Sequence, residues 1–265
     1  MENSQIISVI NQKGGVGKTT TVINLASAIS FRKKKVLVID LDPQGNASTG
    51  FGISENNNNT IYDVLNGNCD FEEAIQDTKI NNLKIVTSNV DLSGLEVETA
   101  SENRRAFLLK DKMQDFINSK KNDFSYIFID CPPSLSLLTV MALVAARSLI
   151  VPLQAEFFAL EGLSQLVKTI ERIKVKLNPG LDIRGVLLTM FDKRNKLSSQ
   201  VDAEARVFFK NKVYQTVIPR NVRLSEAPSH GVPVLIYDKM CAGSKSYFSF
   251  ADEFLKQENI MESAA

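Results

Sequence analysis

Histidine occurs once in this 265-residue chain, at His230. A Ser-His-Asp triad or a multi-histidine metal centre would have to be built without its usual material. Cysteine is nearly as scarce: Cys69, Cys131 and Cys241 lie far apart and form no Cys-x-x-Cys pair. That spacing argues against a zinc site, a redox dithiol and an iron–sulfur carrier. No stretch approaches the roughly 18 uninterrupted apolar residues of a membrane span, and the N-terminus has no secretory pattern, so a cytoplasmic location is expected. Charge is balanced overall, at +1. The material left for chemistry is lysine, carboxylate and glycine, which suits work on phosphates.

That material converges at Asn11, Gln12, Lys13, Gly14, Gly15, Val16, Gly17, Lys18, Thr19 and Thr20. The run follows a short apolar strand (Ile6, Ile7, Val9, Ile10). It opens a helix in which Val22, Leu25, Ala26 and Ile29 recur at three- and four-residue spacing. Glycines at a strand-to-helix turn let successive backbone N–H groups converge on an anion at the positive end of the helix. Lys18 is placed to reach the β- and γ-phosphates and the Thr19 hydroxyl to ligate Mg²⁺, so ATP with Mg²⁺ is the expected guest. The strict Gly-x4-Gly-Lys-Ser/Thr pattern would need glycine where Gln12 stands, and Lys13 adds a second cation. Lys-Gly-Gly-x-Gly-Lys-Thr-Thr resembles the deviant Walker A loop of the ParA/MinD class of nucleotide-dependent switches. The resemblance implies that Lys13 reaches across a dimer interface to the partner's nucleotide, and that Lys13, Lys18 and an acid carry catalysis.

Two later strands end in acids. Residues 36–39 lead into Asp40, Leu41, Asp42, Pro43 and Gln44, and residues 124–130 end at Asp130 before Cys131, Pro132 and Pro133. In an open α/β sheet ligands gather at the carboxyl ends of strands, which brings these acids beside the phosphate loop. A carboxylate next to a triphosphate is repelled unless it engages Mg²⁺ or a water. Asp130 reads as the Walker B acid that holds Mg²⁺. By resemblance, Asp42 positions the attacking water and Asp40 supports the metal and the switch loop; capping of the following turn is the competing role for each acid. Glu156 precedes a long helix and either caps it or, by resemblance, meets the partner's Lys13.

Elsewhere the pattern predicts a surface loop over 50–59, a short helix from Thr60 through Leu65, a strand over 83–87 and an amphipathic helix over 104–119. Strands follow over 148–152 and 182–190, with a helix between them reaching Leu177. About seven strands separated by helices imply one α/β domain over residues 1–265, with a mostly parallel, doubly wound sheet of the P-loop NTPase class.

Between Lys193 and Lys245 ten Lys/Arg face four acids, an excess of about +6 over that stretch. Within it, Val217 to Gly231, which includes Pro219, Arg220, Asn221, Arg223, Glu226, Pro228 and His230, resembles the C-terminal signature of the chromosomal ParA/Soj ATPases. The likeness implies that Pro219 and Asn221 border adenine with Met190 nearby. It also implies that ATP joins two copies into a homodimer, that the dimer binds double-stranded DNA without regard to sequence, and that a ParB-like centromere-binding protein stimulates turnover. The cations that match are Arg194 and Arg223, with Lys193, Lys196, Lys239 and Lys245 as further candidates. Nucleoid association follows from that reading. A MinD-like membrane switch is the first alternative, but residues 247–265 hold Asp252, Glu253, Glu258 and Glu262 against Lys256 alone, and anionic lipid would repel such a tail. A P-loop ligase or kinase acting on a metabolite is the second.

Overall fold

The protein is described by a computed structural model covering residues 4–53, 59–119, 122–156 and 159–263. The strands are β1 (Gln5–Val9), β2 (Val36–Asp40), β3 (Ile75–Asp77), β4 (Leu83–Val86), β5 (Tyr126–Asp130), β6 (Ser148–Gln154) and β7 (Asp182–Thr189). The helices that matter below are α1 (Lys18–Phe31), α2 (Asn46–Gly50), α3 (Ile61–Asn66), α4 (Leu95–Glu98), α5 (Leu108–Asn118), α6 (Leu137–Ala145), α7 (Ala159–Lys176), α8 (Lys196–Phe209), α9 (Val222–Glu226), α10 (Val234–Tyr237) and α11 (Ala242–Ser263). They flank one seven-stranded sheet of order β3-β4-β2-β5-β1-β6-β7. Every pairing is parallel except β3 with β4.

The sheet is buried on both faces, which is why its central strands read as continuous apolar runs. Side chains alternate along each strand: Val36 and Val38 of β2 pack toward α1 and α11, whereas Leu37 and Ile39 pack toward α3, α5 and α6. A third cluster joins β6 and β7 to α7 and α8. The register puts Val9, Asp40 and Asp130 side by side on β1, β2 and β5, so the phosphate loop and both strand-end acids leave the sheet at one edge. The outermost strands are blunted. β3 has three residues, and residues 213–219 run beside β7, where Tyr214 and Ile218 donate their N–H groups to Val186 and Leu188.

The alternating architecture matches the sequence reading, with three local differences. The antiparallel strand β3 carries no apolar run, and its half-exposed Ile-Gln-Asp gave no signal. The stretch expected to be a surface loop begins instead inside the fold: Gly50 is buried with Ile23 against it, and Phe51 joins the core. Residues 54–58 of that stretch lie outside the described residues. Helix α5 begins at Leu108 after a 3-10 turn, and it buries Leu109 together with Met113 and Phe116. Thr60 caps α3 as expected, in a reciprocal capping box with Asp63.

Candidate active site

Gly15 and Gly17 take φ of +73° and +88°, backbone that side-chain-bearing residues rarely adopt. Helix α1 starts immediately afterwards with no side-chain cap, so its first N–H groups stay open to an anion. Three hydrogen bonds from two side chains, neither of which was given a role by the sequence reading, fasten the loop. Asn11 Nδ2 donates to the Pro152 carbonyl (2.8 Å), its Oδ1 accepts from the Lys13 N–H (3.0 Å), and Thr189 Oγ1 donates to the Val16 carbonyl (2.8 Å). Strands β6 and β7 therefore hold the loop that follows β1. Lys18 curls back to give its ammonium to the Lys13 carbonyl (3.1 Å). Burial holds the Lys18 ammonium below the usual lysine range, and Asp130, Cys131 and Asp42 oppose that shift.

The three acids occupy different environments. Asp40 is fully buried and accepts from the Ser48 N–H (2.9 Å), the Ser48 hydroxyl (2.8 Å) and the Asp42 N–H (3.2 Å). It ties α2 to the end of β2. Burial still lifts its pKa to about 6 against those donors. Asp130 is equally buried, yet neither carboxylate oxygen has a hydrogen-bond partner among the described residues. Burial, then the Asp40 charge in register beside it, hold its pKa well above the carboxylate range, with Thr19 and Lys18 pulling the other way. Asp42 turns out of this pair and, among the described residues, its carboxylate accepts only the Gln44 N–H (3.0 Å). The Cys131 thiol is pushed far up by burial, so it is no nucleophile.

The phosphate loop and Asp42 border a cleft of about 440 Å³, whose lining does not include the fully buried Asp40 and Asp130. Gly14, Gly15 and Gly17 to Thr20 form its floor together with Ile23; Asp42, Asn46 and Thr49 form one wall, and Pro133, Met190, Pro228 and Ser229 the rest. Met190 sits at φ +49°, a left-handed conformation that costs a non-glycine residue on the order of 1 kcal/mol and concentrates at functional sites. Pro228 and Ser229 were not expected in the wall, although they belong to the C-terminal stretch noted above. Pro219 lies one step away, paired in a bridge with Phe191, and the Asn221 side chain caps α9 by accepting the Arg223 N–H.

A family model described as an AAA domain matches residues 4–183. The chromosome partitioning protein ParA of Caulobacter vibrioides is 49% identical over 262 residues, covering 98% of this chain and 97% of that one. The sporulation initiation inhibitor protein Soj of Bacillus subtilis is 46% identical over 250 residues, 94% and 97% of the two chains. The chain belongs to the ParA/Soj family of P-loop ATPases. Among solved structures, cobyrinic acid a,c-diamide synthase from Mycobacterium smegmatis, with bound ATP analogue and magnesium, superposes with a TM-score of 0.84 at 32% identity, covering 96% of this chain and 94% of that one.

In this ParA/Soj chain the residues present fit a magnesium-bound triphosphate. Asp130 offers two orphaned buried oxygens next to Thr19, and among the described residues no group of three His, Cys, Asp or Glu could cage a metal unaided. Magnesium typically takes one or two protein carboxylates and completes its shell with phosphate and water. Bound there, it would neutralise phosphate charge. Asp40, already committed to Ser48 and Asp42, has less to offer it than Asp130 and Thr19.

The remaining candidates fall outside the cleft. Lys13 is half-exposed at its rim and forms an ion pair with Glu156 of the same chain. The contact expected across an interface is thus made within one molecule. Arg194 and Arg223 lie on the surface but are already engaged: Arg194 grips Asp192 through two hydrogen bonds (2.9 and 3.0 Å), and Arg223 contacts Glu226 (2.8 Å) and Asp238 (3.5 Å). The Arg194 guanidinium holds the Asp192 carboxyl down at about 2. Lys193, Lys196, Lys239 and Lys245 are all exposed on the same stretch.

Proposed function

We propose that the protein is an ATP- and Mg²⁺-dependent dimerising switch that binds DNA without sequence preference and hydrolyses ATP slowly to move chromosomes or plasmids with a ParB-like partner. The observation that supports this reading is the different placement of two lysines on one loop. Lys18 is buried at the floor of the cleft, whereas the Lys13 side chain is 51% exposed at its rim. Lys18 serves the phosphates of its own chain, and Lys13, once it leaves Glu156, serves those of a second copy. An exposed ion pair of that kind is worth only about 0–1 kcal/mol, so exchange of its partner is not prohibitive.

Asp42 is the acid free to orient water, since Asp40 holds the loop and Asp130 faces the metal position. Dimerisation doubles the cations that meet one duplex, and each phosphate contact releases counterion, so affinity and its salt dependence rise together. Arg194 and Arg223 would exchange their carboxylates for phosphates at that point. The likeness to chromosome-partitioning relatives over nearly the full chain supports a place on the nucleoid. No described helix is long and apolar enough to cross a membrane.

The test is light scattering of the Asp42→Ala variant with and without ATP, followed by duplex-DNA titration of both species. The expected result is a dimer only with ATP, and tight DNA binding only by that dimer. A variant that stays monomeric with ATP, or a nucleotide-free monomer that binds duplex equally well, overturns the reading.

A further inference from the structure

Two glycines distant in sequence meet back to back beside the cleft. Gly52 (φ +73°) follows α2, and Gly231 (φ +61°) ends the 3-10 turn after α9. A Cβ on Gly52 would stand 2.6 Å from the Gly231 carbonyl oxygen, and a Cβ on Gly231 would stand 2.6 Å from the Gly52 Cα. Only backbone fits between these segments, and both residues need a left-handed conformation.

Each side of the contact leads to a functional group. On one side, Gly52 and Ile53 return their N–H groups to the carbonyls of Thr49 and Ser48, and Ser48 is the residue that holds Asp40. Asp42, Asn46 and Thr49 of the same segment line the cleft. On the other side, Gly231 closes a turn on the Pro228 carbonyl (3.0 Å), and Pro228 and Ser229 form the opposite wall. Just before them stands α9 with Arg223. Beyond them the chain is pinned to α1, where the Val234 N–H donates to Asn24 Oδ1 (2.9 Å). Arg223 is held from both directions, by Glu226 before the turn and by Asp238 after α10. A shift of the turn relative to the pinned α10 changes the grip of those two acids on Arg223.

We propose that Gly52 and Gly231 are positioning residues: their backbone contact carries movement of the Asp42 loop and α2 to the Arg223 segment. The proposal builds on the reading that nucleotide state sets DNA affinity. The loop and the cationic segment then move as one body, without a side-chain relay that a single truncation would cut.

The experiment compares Gly52→Ala and Gly231→Ala with Gly67→Ala. Gly67 has the same kind of backbone (φ +77°), but a Cβ there meets only Lys112 Nζ, at 3.9 Å, so it controls for strain alone. Duplex-DNA affinity is measured with ADP and with a non-hydrolysable ATP analogue, and analogue binding is measured separately. Both cleft variants are expected to lose about tenfold or more of the analogue-to-ADP affinity ratio, while binding the analogue within about threefold of wild type, and Gly67→Ala is expected to keep the ratio. Retention of the wild-type ratio by the cleft variants, or its equal loss in Gly67→Ala, overturns the proposal. Hydrogen exchange on the wild type gives a second reading that needs no variant to fold. Exchanging ADP for the analogue should alter protection over residues 46–52 and 228–231 together, and a change confined to 46–52 overturns it. A wild type with no affinity ratio at all defeats the switch reading instead, and the exchange pattern still judges the contact.

Discussion

Replacing Asp130 with asparagine should make the empty protein more stable and the fuelled protein less responsive. The carboxylate is fully buried, lacks a hydrogen-bond partner among the described residues and lies in register with Asp40 on the neighbouring strand. An unsatisfied buried polar group costs about 1–3 kcal/mol, and charge adds to that. Asp130→Asn keeps the shape and a polar group, but removes the further cost, on the order of 1–3 kcal/mol, of an acid that the folded chain must hold either charged or protonated. With an unfolding entropy of about 2.1 cal/mol/K per residue, a chain of this length has roughly 0.6 kcal/mol/K, so relief of about 1–3 kcal/mol raises Tm by about 2–5 °C. The assay is thermal denaturation at pH 7.5 without nucleotide, repeated with ATP plus EDTA and with ATP plus Mg²⁺. Wild type at a hundredfold excess over Kd should gain about 2.7 kcal/mol, or about 5 °C, and the variant should gain nothing further when Mg²⁺ replaces EDTA. The pH dependence has a fixed sign. Asp40, raised to about 6, and Asp130, raised well above the carboxylate range, bind protons in the folded state at pH values where the unfolded chain has released them. Their contribution to stability is full below about pH 4 and is lost as pH rises through their folded values. Between pH 7 and 5 these two groups therefore stabilise the empty wild type, and the variant should show a shallower rise. An empty Asp130→Asn protein that melts at or below wild type refutes the reasoning.

Lys18→Ala should abolish ATP binding, measured by calorimetry, because the buried ammonium on the floor of the cleft is lost while the loop remains fastened through Asn11 and Thr189. Asp42→Ala should bind ATP within about threefold of wild type and lose hydrolysis by about a hundredfold, the usual scale for a positioned base, in a phosphate-release assay. Ser48→Ala removes one of the three donors to Asp40 and should lower stability by about 1–3 kcal/mol in denaturant titration, since the partner left behind is a buried carboxylate. Arg223→Ala should reduce the slope of log affinity against log salt by about 1 per chain in duplex titrations, with ATP-driven dimerisation unchanged. A slope equal to that of wild type removes Arg223 from the DNA face.

The sheet and its carboxyl edge were legible because the elements that build them are regular. Apolar strands ending in Asp40 and Asp130, and glycines between a strand and an amphipathic helix, each have a local signature. The legible part ends where long-range packing decides. Strand β3 is half-exposed and polar, so neither alternation nor an apolar run marks it. Phe51 is buried although its neighbours read as a loop, because α2 folds it against the core. Nothing local announces that Ser48 serves Asp40, that Thr189 pins Val16, or that Pro228 and Ser229 close the cleft. Those contacts join residues up to 173 positions apart. For Glu156 the sequence left two roles open, capping its helix or meeting the Lys13 of another copy, and nothing local marks the pairing with Lys13 of the same chain.

The rims of the sheet set the terms on which copies of this protein can gather. An open strand edge is a template for adding further strands, and a crowd of molecules assembled on one duplex would be exposed to that hazard. Here one margin ends in a three-residue strand bearing Asp77 paired to Lys84, and the other is sealed by residues 213–219. Molecules concentrated side by side can meet and part without fusing their sheets.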